Sequence, residues 1–86
     1  MPTLLHFTAT WAEAICGPHR AEVAQAARVL GWDVQERDID RDGSEAKAYG
    51  VLNVPAVAVE GQSDRLPLVG ARSASSLVAE LSHRPL

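Results

Sequence analysis

Hydrophobic and polar positions divide the chain into four extended runs and three helical ones. Residues 3–9, Thr-Leu-Leu-His-Phe-Thr-Ala, are rich in β-branched and large apolar side chains and too short for an independent helix, which predicts a first strand. Between Pro18 and Leu30 the apolar residues Val23, Ala26, Ala27 and Leu30 recur at spacings of three and four, and Gly31 supplies a stop. That spacing predicts an amphipathic helix over 18–30. Trp32, Val34 and Ile39 then alternate loosely with Gln35, Glu36, Arg37 and Asp38, as in a strand near a sheet edge that ends at Asp38-Ile39-Asp40. Asp42, Gly43 and Ser44 predict a turn and cap, and residues 45–49 a short helix closed by Gly50. Residues 55–59 and 65–70, separated by a turn beginning at Glu60-Gly61, predict a hairpin. Ser73 offers a cap for a last helix with Leu77, Val78 and Leu81 on one face, ending before Pro85.

The order is β-α-β-α-β-β-α. A strand-helix-strand unit requires a parallel pair, whereas a short hairpin must be antiparallel. The expected fold class is therefore α/β, with a four-stranded mixed sheet and helices on both faces. Eighty-six residues suit one domain, 1–86, and no repeat or linker interrupts it.

Composition removes several classes of function. Apolar residues make up 47% of the chain and charged residues 22%, the balance of a globular domain rather than a disordered one. A net charge of −3 with no basic stripe and few aromatic residues argues against nucleic acid as a partner. The longest apolar runs are far shorter than a bilayer span, and the N-terminus has no basic leader, so the expectation is a cytoplasmic protein without a membrane partner. Cys16 is the only cysteine, which forbids an internal disulfide, a dithiol pair and a four-cysteine zinc site.

The order of elements, together with Phe7-Thr-Ala-Thr-Trp11, Cys16-Gly-Pro18 and Asn53-Val-Pro55, resembles the thioredoxin family, whose strand and active loop commonly read F-[ST]-A-x-W-C-G-P-C. The likeness spans almost the whole chain. It implies a thioredoxin-like fold without the N-terminal strand and helix of larger thioredoxins, as in glutaredoxins and the smallest thioredoxins. Asp38-Ile39-Asp40, Ala48-Tyr49-Gly50-Val51 and Val69-Gly70 fit the later parts of that pattern. The resemblance also implies that Pro55 is a cis proline, that the backbone at Val54 contacts an extended substrate, and that Trp11, Gly17 and Pro18 lie on the same substrate-facing surface.

Three departures bear on chemistry. His19 stands where the family's second cysteine would be. Four extra residues, Ala12-Glu13-Ala14-Ile15, separate Trp11 from Cys16. His6 precedes Phe7, where many thioredoxins carry a buried aspartate. A cysteine at a helix start meets unpaired backbone N–H groups and the positive end of the helix dipole, which favour the thiolate. Cys16 before Gly17-Pro18 fits such a start, and His19 three residues on would share its face and assist it as an imidazolium or a hydrogen-bond donor; the plain alternative is a surface histidine without a role. The expected arrangement is a longer loop over the four extra residues, with a short helical turn in it, ending where Gly17-Pro18 restarts the helix. Thr10-Trp-Ala-Glu13 also matches a capping box, which would instead start the helix early and leave Cys16 inside it with Pro18 as a kink.

Cys16 as nucleophile and His19 as modulator then point to monothiol thiol–disulfide exchange with protein or peptide thiols and disulfides. No resident cofactor is implied; glutathione would serve as the external thiol. The rival reading is a redox-inactive module that binds a peptide or partner protein beside Pro55, and covalent dimerisation through Cys16 is a smaller third. Metal binding is not expected, because His6 and His83 do not complete the half-site of Cys16 and His19. Nor does any residue supply the orienting acid of a Cys-His hydrolase. Trp11 and Trp32 read as partly buried packing residues, and Tyr49 as a cap of the short helix against the sheet.

Overall fold

Alternation along the first strand decides the layering. In a computed structural model that describes residues 2–83, β1 (Thr3–Thr8) is buried on both faces over its last five residues. Leu4 packs with Val23, Ala26, Ala27, Leu77 and Leu81, whereas Leu5 and Phe7 pack with Ala46, Tyr49 and Val51. The period of two thus sends Leu4, and with it His6, toward one helical layer, and Leu5 and Phe7 toward the other. The sheet order is β2-β1-β3-β4. Strand β2 (Asp33–Asp38) runs parallel to β1, pairing Leu4 with Val34 and His6 with Glu36. Strand β3 (Ala56–Val59) is antiparallel to β1, and β4 (Leu68–Val69) is antiparallel to β3.

Helix α1 (Glu13–Leu30) and helix α3 (Ala74–Ser82) cover the Leu4 face, and the short helix α2 (Gly43–Ala48) covers the Leu5 face. Gly31 ends α1 at a positive φ of 73°, its N–H reaching the carbonyls of Ala27 and Arg28. Only a residue without a Cβ takes that left-handed turn without cost. Ser73 caps α3 by accepting the Ser76 N–H at 3.2 Å. Tyr49 follows α2, packs its ring on Phe7 and accepts the Gly61 N–H at 2.7 Å, so it ties α2 to the turn after β3.

Several boundaries differ from those the sequence predicts. The long helix starts at Glu13 rather than Pro18, so Ala12-Glu13-Ala14-Ile15 is not a loop but the approach to α1 and its first residues. A single 3-10 turn, Thr10–Ala12, precedes it, and no side chain caps either segment, so the capping box of Thr10 and Glu13 does not form. Pro18 lies inside the helix on its exposed side, where the Ala14 carbonyl left without a ladder partner also belongs to an exposed residue. Strand β2 stops at Asp38, because Asp38 turns the chain: its carbonyl accepts the Asp42 N–H, its carboxylate accepts the Asp40 N–H at 2.9 Å, and its own N–H donates to the Asp42 carboxylate at 3.1 Å. Asp42 is thereby spent on the turn and gives α2 no side-chain cap. Strand β4 shrinks to two residues directly after Pro67, which has no N–H for a ladder. Trp11 is 70% exposed rather than packed, whereas Trp32 is half-buried against the α1–α3 core. Pro85 lies outside the described residues.

The core beneath α1 and α3 predicts a graded response to truncation. Leu77→Ala or Leu81→Ala, both fully buried, should cost ~2–5 kcal/mol in urea unfolding, whereas Leu52→Ala, at 87% exposure, should stay within ~0.5 kcal/mol.

Candidate functional site

The core stripe of α1 continues backwards through the residues expected to carry chemistry. Counting from Leu30, positions 27, 26, 23, 19 and 16 follow one another at helical spacing, so Cys16 and His19 belong to the same inward face as Val23, Ala26 and Ala27. All five are buried, Cys16 completely and His19 to within 3%. This periodic signal is present in the sequence, but it becomes readable only once the helix is known to begin before Cys16.

At that point on the stripe α1 meets His6, which the alternation of β1 turns to the same layer. His6 Nε2 and His19 Nδ1 are 3.0 Å apart in one hydrogen bond, and the rings meet edge to face with centroids 4.9 Å apart. Burial pulls the His6 pKa down to about 4, helped by the neighbouring His19. Burial also lowers that of His19, with Arg72 pulling the same way and the Glu22 carboxylate opposing. Both rings are therefore neutral at pH 7, and His19 is not the imidazolium that the spacing from Cys16 suggests. One ring donates and the other accepts. The second nitrogen of His19, Nε2, is buried without a partner.

Cys16 is the fourth residue of α1 and a free thiol with no exposed surface. It makes no hydrogen bond among the described residues, to His19 or to the Val54-Pro55 segment. The helix start itself, where backbone N–H groups are unpaired, is occupied by Ala12 at the cap and the exposed Ile15 in the first turn. Gly17 has a structural part: a Cβ there would lie 2.7 Å from Glu13 Oε2. Its absence lets Glu13 fold back to Arg20 Nη1 at 2.9 Å, and Arg20 reaches on to Glu36 of β2. Hydrogen bonding to Arg20 lowers the Glu13 pKa, and the two carboxylates raise that of Arg20.

The remaining predicted residues lie at the entry to β3. The Val54-Pro55 peptide bond is cis. Val54 is half-buried against the Leu5–Phe7 cluster, Pro55 is buried, and the Pro55 carbonyl accepts the Gly70 N–H at 2.8 Å. Asn53 is exposed in the preceding turn. Among the described residues no group of three His, Cys, Asp or Glu side chains is placed to hold a metal ion, and no helix is long and apolar enough to cross a membrane.

No protein-family model and no curated sequence matches the chain. Solved structures do. A single-site mutant of thioredoxin from Halobacterium salinarum NRC-1 superposes with a TM-score of 0.79 at 25% identity, over 99% of this chain and 76% of that one. Thioredoxin 1 from Thermosipho africanus TCF52B gives 0.72 at 14% identity, over 93% and 90% of the two chains. Thioredoxin-2, described as a component of malaria parasite protein secretion machinery, gives 0.71 at 19%, over 98% and 84%. The chain has the thioredoxin fold. Set against the F-[ST]-A-x-W-C-G-P-C pattern, the positions one and four residues beyond Trp11 are Ala12 and Ile15, and Cys16-Gly17-Pro18 is displaced one helical turn into α1. In this thioredoxin fold the strand position before Phe7 and an inward position of the helix are both histidine, and they bond to each other.

The histidine pair makes stability depend on pH. Folded-state pKa values below the ordinary 6.5 mean that the unfolded chain binds more protons below that value. The contribution is intact above about pH 6.5 and is lost as pH falls toward 4; His6 alone should remove about 2 kcal/mol of unfolding free energy between pH 7.5 and 5. Urea unfolding across that range measures the slope. The double substitution His6→Leu/His19→Leu should flatten it, because both partners of the hydrogen bond are removed together.

Proposed function

We propose that the chain keeps a thioredoxin-like redox role in monothiol form, with Cys16 as its nucleophile and opening of the first turn of α1 as the step that exposes it. The observation that supports this is the weakness of that turn. No side chain caps it, and Pro18 withholds the N–H that would close the ladder onto Ala14. Glu13, Ala14 and Ile15 of that turn are exposed, and frayed helix ends open at lower free energy than the core. Once exposed, the Cys16 thiolate attacks one sulfur of an external disulfide, forming a mixed disulfide and expelling the other sulfur as a thiolate. A second external thiolate, glutathione being the natural class, then attacks the mixed disulfide, releasing Cys16 and leaving the substrate as a new disulfide. His19 cannot resolve the intermediate, and in the closed state it bonds to His6 instead of Cys16. Its role is to hold the stripe closed. On this reading Val54, Pro55, Trp11, Gly17 and Pro18 border the path by which a peptide thiol or disulfide approaches, and a reducing, cytoplasmic compartment suits a lone thiol that must start reduced.

A second reading, a redox-inactive binding module for a peptide or partner protein, rests on one specific observation: Cys16 has no exposed surface while the helix start is alanine. One experiment separates the two. Reduced protein is incubated with oxidised glutathione at slightly alkaline pH, and formation of the mixed disulfide is followed by mass spectrometry at increasing urea below the unfolding transition. Local opening exposes little surface, so the monothiol reading expects a slow rate that is nearly flat in urea. A rate that vanishes without urea and rises with the full slope of global unfolding would leave the binding module.

A further inference from the structure

Outward of the histidine pair, α1 faces the loop that leads into α3, and a cleft of about 350 Å³ lies between them. Ile15 and Pro18 make its apolar wall, and His19, Glu22 and Arg72 its polar one. Two buried polar atoms on these residues have no partner: His19 Nε2 and Arg72 Nε. Leaving such atoms unpaired is costly, on the order of 1–3 kcal/mol each, and more where the group is charged. The other polar groups nearby are already used. Glu22 Oε1 accepts the Ala74 N–H at 2.8 Å, and Ser73 Oγ accepts the Ser76 N–H.

We propose that this cleft binds a small aliphatic monocarboxylate, its carboxylate held by Arg72 and His19 Nε2 and its chain laid along Ile15 and Pro18. Arg72 Nε can only donate, and with a neighbouring guanidinium N–H it presents the fork that fits the two oxygens of a carboxylate. The neutral His19 ring carries one proton. In the tautomer whose Nδ1 accepts from His6 Nε2, that proton lies on Nε2, and His19, which lines the same cleft as Arg72, supplies a second donor. The Glu22 carboxylate on the same wall sets the charge limit: it tolerates one negative charge next to Arg72 and disfavours a dianion such as phosphate. The volume, at the low end for a ligand pocket, suits a few carbons rather than a drug-sized molecule. Cys16 is not among the residues that line the cleft.

The test titrates butyrate into the reduced protein at pH 7 and follows the His19 ring signals and the Arg72 and Ser73 amides by NMR. Butanol and inorganic phosphate serve as comparison probes. The expected result is saturable binding of butyrate, with Arg72→Gln weakening it by roughly ten-fold or more while the rest of the spectrum is unchanged. Glu22→Gln should improve phosphate binding relative to butyrate, because the repelling charge is gone. Butanol binding as tightly as butyrate, phosphate binding more tightly in the unmodified protein, or an unaltered affinity in Arg72→Gln would each overturn the proposal, as would the absence of saturable shifts with butyrate.

Discussion

The hydrogen bond between His6 Nε2 and His19 Nδ1 crosses from the central strand to the long helix and fixes which side of α1 meets the sheet. Two buried imidazoles can be accommodated only as a neutral donor–acceptor pair, since either one charged and unpaired would carry a large desolvation penalty. Once that pair is made, the rotation of α1 is set. Cys16, three residues before His19, is brought under the helix with Val23 and Ala26, Arg20 is turned outward to Glu13 and Glu36, and Ile15, Pro18 and Glu22 line the cleft against the loop before α3. The site is thus a consequence of one polar contact inside an otherwise apolar layer.

That geometry redistributes the parts expected of a thioredoxin-like loop. The place where helix N–H groups favour an anion is present, but Ala12 fills it. The thiol is present, but it lies one turn further along and inward. What the closed molecule offers to solvent at this end is an aromatic and an aliphatic side chain, Trp11 and Ile15, 70% and 55% exposed. On the monothiol reading proposed above, reactivity at Cys16 depends on how readily the uncapped first turn opens.

Much of the fold is legible in the sequence because local signals agree with tertiary ones. Val23, Ala26, Ala27 and Leu30 repeat at helical spacing up to Gly31, and Gly31 does take the left-handed turn. The extended run of residues 3–9 and the short turn after Val59 lead to a mixed four-stranded sheet. The start of α1 is not legible, because Pro18 is a strong sign of a first helical turn and only tertiary packing shows it inside a helix. A helix read from Pro18 leaves Cys16 in a loop and His19 near the surface, although the inward stripe passes through both. His6 stands out as a departure from a family pattern, yet the sequence does not name its partner: the contact joins residues thirteen apart through the packing of two elements. The cleft beside Arg72 has no sequence signal, since it arises where the loop before α3 comes back over α1.

The register of α1 carries the whole account, and 13Cα chemical shifts of residues 12–20 measure it directly. Helical downfield shifts that begin at Glu13 and continue unbroken through Cys16 to His19 are the predicted result. Random-coil values from Glu13 to Cys16, with helical shifts appearing only from Pro18 onward, would return the thiol to the helix start and contradict it.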